Sequence, residues 1–110
     1  MAKYALFFSY TPQAWAAMIK KPGNRPASAR AAVEAVGGSL ESMYFMFGER
    51  DGFVIIDVPD GEAAAACSIA VASTGAFRSL QATQLVAPQD LAGVLEKAGQ
   101  ALGSYTPPGQ

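Results

Sequence analysis

The stretch SLESMYFMF-GERDG-FVIIDV, residues 39–58, decides the fold. Ser39 to Phe47 and Phe53 to Val58 are dense in aromatic and β-branched side chains, which suit a pleated, half-buried surface. Gly48-Glu49-Arg50-Asp51-Gly52 between them is a five-residue, glycine-bounded connection of the kind that closes a hairpin. The two runs therefore read as antiparallel neighbours. Because successive side chains of a strand point to opposite faces, Tyr44 and Met46 oppose Met43, Phe45 and Phe47, while Val54, Ile56 and Val58 oppose Phe53 and Ile55. Both faces come out apolar.

Working outward toward the N-terminus, Tyr4 to Tyr10 (YALFFSY) is a third strand with the same property, Leu6 and Phe8 against Ala5 and Phe7. Thr11-Pro12 supplies a helix cap followed by proline at the first helical position. Trp15, Met18 and Ile19 keep helical spacing until Pro22-Gly23-Asn24 breaks it. A second helical piece runs from Pro26 to Val36 through Ala29, Ala32 and Val33, and Gly37-Gly38 ends it.

Downstream, Pro59 stops the strand and Asp60 caps a helix over 61–74 whose first turn holds Glu62, favourable against the helix dipole. Gly75 ends that helix, and Phe77 to Val86 reads as a fourth strand. Pro88 opens a last amphipathic helix through Leu91, Val94, Leu95, Ala98 and Leu102. The order is β-α-β-β-α-β with an extra C-terminal helix. That is an α+β chain of the ferredoxin-like kind, with a four-stranded antiparallel sheet. Residues 1–103 are expected to form one domain and 104–110 a disordered tail.

In this topology two helices cover one face of the sheet and leave the other bare. With 51% hydrophobic and 15% charged residues, a monomer has little charge to spread over its surface. Leaving several hundred Å² of apolar surface wet forgoes several kcal/mol at about 25 cal/mol per Å². A second copy is the simplest cover, so a homodimer or higher homo-oligomer is expected. The alternative is that the C-terminal helix folds back over the bare face.

Eight basic against nine acidic residues, a net charge of −1, leave no basic stripe for nucleic acid. The longest uncharged run, Ala63 to Phe77, is too short to span a bilayer. Cys67 is the single cysteine and histidine is absent. An intrachain disulfide, an ordinary zinc site, a histidine-based catalytic pair and a histidine-ligated iron are thereby excluded, and no metal or cofactor is expected. The N-terminus has no signal-peptide pattern, and a cytoplasmic location is expected.

Gly48-Glu49-Arg50-Asp51, then an apolar strand and Pro59-Asp60-Gly61-Glu62-Ala63-Ala64, together with Thr11-Pro12, Gly37-Gly38 and Thr74-Gly75, resemble the GYD domain family over about residues 3 to 90. These are small bacterial proteins mostly without an assigned function. Arg50 stands where the family tyrosine is expected, while Asp51 matches. The resemblance implies a ferredoxin-like fold that associates as dimeric α/β barrels do, and it implies no known reaction.

The topology gathers Tyr10, Trp15, the hairpin with Arg50 and Asp51, and Arg78 at one rim of the sheet. Two guanidinium groups beside a helix N-terminus favour an anionic ligand, with Tyr10 and Trp15 as apolar walls. Against this, Glu49 to Asp51 also read as a solvated turn and Trp15 as core. Asp57, the one charge in the most apolar strand, is the candidate for acid-base work, or else a wet or ion-paired carboxylate. Cys67, in an alanine-rich helix, reads as structural.

Three functions are compatible with these residues: binding of a small anionic or aromatic molecule at a rim or subunit interface, an assembly or regulatory module without a ligand, and a cofactor-free isomerase or oxygenase. Whether the chain is an enzyme stays open. A cavity of a few hundred Å³ between sheet and helices favours a ligand, and packing at interior density favours the assembly module.

Overall fold

The computed structural model describes all 110 residues. Its strands are β1 (Ala2–Tyr10), β2 (Ser39–Phe45), β3 (Gly52–Val58) and β4 (Phe77–Leu85), and its helices are α1 (Pro12–Lys20), α2 (Arg25–Ala35), α3 (Gly61–Ala72) and α4 (Leu91–Ser104). The sheet order is β2-β3-β1-β4 and every neighbouring pair is antiparallel. This is the expected α+β arrangement. The hairpin strand β2 stops at Phe45, two residues earlier than the residue pattern predicts, and Pro88–Asp90 forms a 3-10 turn before α4.

Local chemistry sets the helix starts. Thr11 Oγ1 accepts from Ala14 N–H at 3.2 Å, Asn24 Oδ1 from Ala27 N–H at 3.1 Å, and Asp60 Oδ1 from Ala63 N–H at 2.9 Å. Each cap satisfies an N–H group that has no partner inside its helix. The break between α1 and α2 falls at Pro22 to Asn24, as the sequence predicts. Gly37 closes α2 at φ +85°, a left-handed conformation that other residues adopt at a cost.

The register assigns the faces. β1 aligns Leu6 with Val54, Phe7 with Phe53 and Phe8 with Gly52. Leu6, Phe8, Tyr10, Val54, Ile56 and Val58 form the core, closed by Val33 of α2 and by Ala64 and Cys67 of α3. Gly52 is needed at its place: an added Cβ would lie 2.5 Å from the Phe8 ring and 2.7 Å from the Tyr44 carbonyl. The opposite face carries Ala5, Phe7, Phe53, Ile55 and Tyr44. A bulge between Leu40 and Ser42 turns Glu41 to this face, where it meets Lys3 at 2.7 Å.

The alternative in which α4 folds back over the bare face is not what the structure shows. α4 packs on the 3-10 turn that leads into it and makes no substantial contact with the sheet. The chain is 59 Å long with a radius of gyration of 17.6 Å, against about 13 Å for a compact domain of this size. Four aliphatic side chains of α4, Leu91, Val94, Leu95 and Leu102, stay exposed. Ala87 continues extended from β4 (φ −65°, ψ 144°) into the 3-10 turn. No helix is long and apolar enough to cross a membrane.

Candidate functional site

The helix-covered half of the molecule is not packed solid. Between the sheet and helices α2 and α3 lies a cavity of about 370 Å³, with 13 hydrophobic groups among its 16 lining residues. Leu6, Phe8, Val54 and Leu80 form its floor, Ala29, Ala32 and Val33 one wall, and Cys67 and Val71 the other. Small alanine side chains on α2, where larger aliphatics would fill the space, leave the volume open. Its few polar groups are Arg25, Ser28, Thr74 and the Tyr10 hydroxyl.

Tyr10 is held firmly. Its ring stacks on Phe77 at 5.0 Å and meets Trp15 edge-on at 5.2 Å and Phe8 at 5.3 Å. Burial pushes the Tyr10 phenol up, Arg25 nearby pulls it down, and Asp51 raises it again. The phenol is thus a neutral donor at neutral pH. Arg25, the first residue of α2, bonds Ser28 Oγ at 3.1 Å. Burial likewise raises the Cys67 thiol, which keeps it protonated and unreactive.

Asp51 is a clamp. Its Oδ2 accepts from Tyr10 N–H at 2.8 Å and from Trp15 Nε1–H at 3.2 Å. One carboxylate oxygen therefore fixes the end of β1 and the indole of α1 together. The Asp51 backbone also bonds Phe8 and Met46, so the hairpin is stitched to β1 rather than standing free as a solvated turn.

The remaining expected residues separate. Tyr10 lines the cavity, while Trp15 backs it and borders an open cleft shared with Met18, Phe45 and Phe47. Arg50 turns to the bare face, where it donates to Gln81 Oε1, opposite Phe7. Arg78 is exposed at the irregularity between Ser9 and Tyr10 in the β1–β4 pairing. Asp57 also lies on the bare face, 3.5 Å from Lys3. Neither Arg50, Arg78 nor Asp57 lines the cavity between sheet and helices.

The cation at the cavity is instead Arg25, which residue pattern alone passes over. A signal for it exists: a guanidinium at the first position of a helix opposes the dipole, and no acidic residue offsets it in that turn. Local rules broken without local gain mark candidate sites.

An antiparallel four-stranded sheet with helices on one face and a cavity between the layers defines a ferredoxin-like α+β protein. The GYD domain profile matches residues 4–95, and the chain belongs to that family. No curated protein sequence matches the chain. Among solved structures the chain is similar to MtbAldR, at 13% identity and TM-score 0.56, covering 78% of this chain and 53% of that one. This chain therefore spans about half the length of MtbAldR. It is also similar to FFRP-DM1, at 10% identity and TM-score 0.50, covering 78% of this chain and 100% of that one. A third likeness is the 5-chloro-2-hydroxyhydroquinone dehydrochlorinase of Burkholderia phenoliruptrix AC1100 in complex with 2,5-dihydroxybenzoquinone, at 10% identity and TM-score 0.54, covering 79% and 96% of the two chains. At these identities the likeness is one of fold.

Proposed function

We propose that this protein binds a small, mainly apolar or aromatic molecule carrying one anionic oxygen group, in the cavity between the sheet and helices α2 and α3, and that it works as a homodimer. The cavity carries the reading. Its volume of about 370 Å³ lies in the range of small-molecule sites, which are mostly apolar with a few placed polar groups. Arg25 and the Tyr10 hydroxyl, both donors, suit a carboxylate or an enolate oxygen at one end. The walls suit an apolar ring or chain.

The rim residues named from the sequence keep a supporting part in this reading. Asp51 and Trp15 hold Tyr10 in place, and Arg50, Arg78 and Asp57 belong to the surface for a second copy. The homodimer is supported by the bare sheet face, whose exposed apolar side chains a second copy's sheet would cover. A lone buried thiol at Cys67 suits a reducing, cytoplasmic setting.

A fluorescent probe of the right chemistry tests the site: anilinonaphthalene sulfonate, an aromatic body with one anionic group. It is expected to bind once per chain. Ala29→Phe, which fills the cavity from α2, abolishes that binding. Arg25→Gln weakens it about tenfold, while the uncharged analogue phenylnaphthylamine binds the variant and the parent equally. Undiminished binding of the sulfonate by Ala29→Phe sinks the cavity as the site.

A further inference from the structure

Three surfaces of this chain lack a partner, and their placement makes them complementary in pairs. One is the bare sheet face. Another is the α4 stripe of Leu91, Val94, Leu95 and Leu102, each about half exposed or more. The last is the cleft at the hairpin end, where Phe47 is 88% exposed beside Phe45, Trp15 and Met18. A helix of 14 residues whose only substantial contact is the 3-10 turn before it is marginal in water, so α4 needs a surface to lie on.

β4 ends at Leu85, which pairs with Lys3, and α4 follows it through the 3-10 turn Pro88–Asp90. The cleft lies at the other end of the sheet, where Phe45 pairs with Gly52. Sheet and helix, at about 30 Å and about 21 Å from their residue counts, nearly account for the 59 Å length. The arm thus points away from its own cleft.

The charges of the bare face choose between the ways two copies can meet. At the hairpin end stands Arg50. At the other end Lys3 faces two carboxylates, Glu41 and Asp57, leaving one negative charge. A two-fold axis along the strands would set like ends together. An axis across the strands sets Arg50 of each copy against the acidic end of the other, and brings α4 of each copy to the hairpin end of the other.

Area points the same way. Four strands of about seven residues offer on the order of 500 Å² of bare face, short of the roughly 800 Å² per partner of a stable interface. Two arms laid in two clefts supply the difference.

We propose that α4 is an exchanged arm: in a homodimer joined through the bare sheet faces with strand ends reversed, the apolar stripe of each α4 fills the Trp15–Phe45–Phe47 cleft of the other copy. This rests on the homodimer reading above and adds its orientation and its contact residues. Exchange of an element between identical copies is a low-cost route to a dimer under two-fold symmetry.

Cross-linking of full-length chains with a short bis-maleimide tests it, Cys67 being buried. Phe47→Cys and Val94→Cys chains, each silent by itself, give a covalent dimer when mixed and allowed to exchange subunits. Leu95→Asp keeps the far-ultraviolet spectrum of the parent and weakens dimerisation at least tenfold by analytical ultracentrifugation. Cross-linking by Val94→Cys alone places arm on arm and overturns the proposal. So does a parent dimer that gives no mixed product, or one that Leu95→Asp leaves intact; in both cases the homodimer reading survives. A monomeric parent overturns both.

Discussion

On the helix-covered face of the sheet Ile56 and Val58 are fully enclosed, whereas Phe53 and Ile55, on the same strand and one residue away, are only partly covered. The covered face is closed by α2 and α3 around a cavity with Tyr10 at its edge. The bare face has an aromatic centre, Phe7–Phe53–Tyr44 with ring centroids 5.8 and 5.7 Å apart, and charged ends at Arg50 and at Lys3–Asp57. Equal apolarity therefore does not mean equal use. One face is apolar because the chain folds onto itself, and the other sets an aromatic centre among polar side chains, Gln81 opposite Phe7, Thr83 opposite Ala5 and Ser42 opposite Ile55, with its charges at the ends.

The sharpest way to break this contrast is to truncate neighbours on opposite faces. Ile56→Ala is expected to lower the unfolding free energy by about 3 kcal/mol at any protein concentration, because its surroundings are intrachain. Ile55→Ala is expected to cost less in the isolated chain, its loss growing as protein concentration rises and dimer contacts come into play. Urea titrations at two concentrations separate the two. Equal, concentration-independent losses would remove the distinction between the faces.

A smaller effect is expected where the hairpin is stitched to the covered face. Asp51→Ala strips the acceptor from Tyr10 N–H and Trp15 Nε1–H and is expected to cost about 2 kcal/mol. Trp15 is the only tryptophan, so its emission, shifting to the red in the folded variant, reports the loss of the clamp directly. Unchanged emission would mean that the indole is held by its ring contacts alone.

The smallest expected effect is a pH dependence. Burial raises the Tyr10 phenol and the Cys67 thiol above their ordinary values of 10.0 and 9.0. Lys3 is raised from 10.5 mainly by its hydrogen bond to Glu41. Groups held protonated in the folded state support it fully below their unfolded values and lose that support as pH rises through the folded ones. Through these three groups stability therefore falls as pH rises above about 9. Cys67→Ala, compared with its own value at pH 8, flattens the first part of the fall, between pH 9 and 10. A decline of the same steepness in that variant would assign it to other groups.

Much of the fold was legible in residues 39–58, because alternation and a glycine-bounded turn are local signals. The hairpin, the four strands, the break at Pro22 to Asn24 and the caps at Thr11 and Asp60 all follow from neighbours in sequence. The end of β2 was not, since Met46 looks like a strand residue but its N–H bonds the Asp51 carbonyl within the turn.

The candidate site was only partly legible. Topology placed Tyr10, Trp15, Arg50, Asp51 and Arg78 at one end of the sheet, but not on which side of it each side chain falls. Asp51 reaches under the sheet to Trp15 while Arg50, one residue earlier, crosses to the other face. Arg25 became the cavity's cation only because the kink at Pro22 to Asn24 returns α2 beside Tyr10.

The sequence by itself determined the order of elements, the antiparallel hairpin and the apolarity of both faces, since these depend on side chains within a few residues of one another. Only the tertiary structure decided that a cavity survives beneath α2 and that α4 stands clear of the sheet. Both depend on how closely distant layers approach, and periodicity holds no information about that distance.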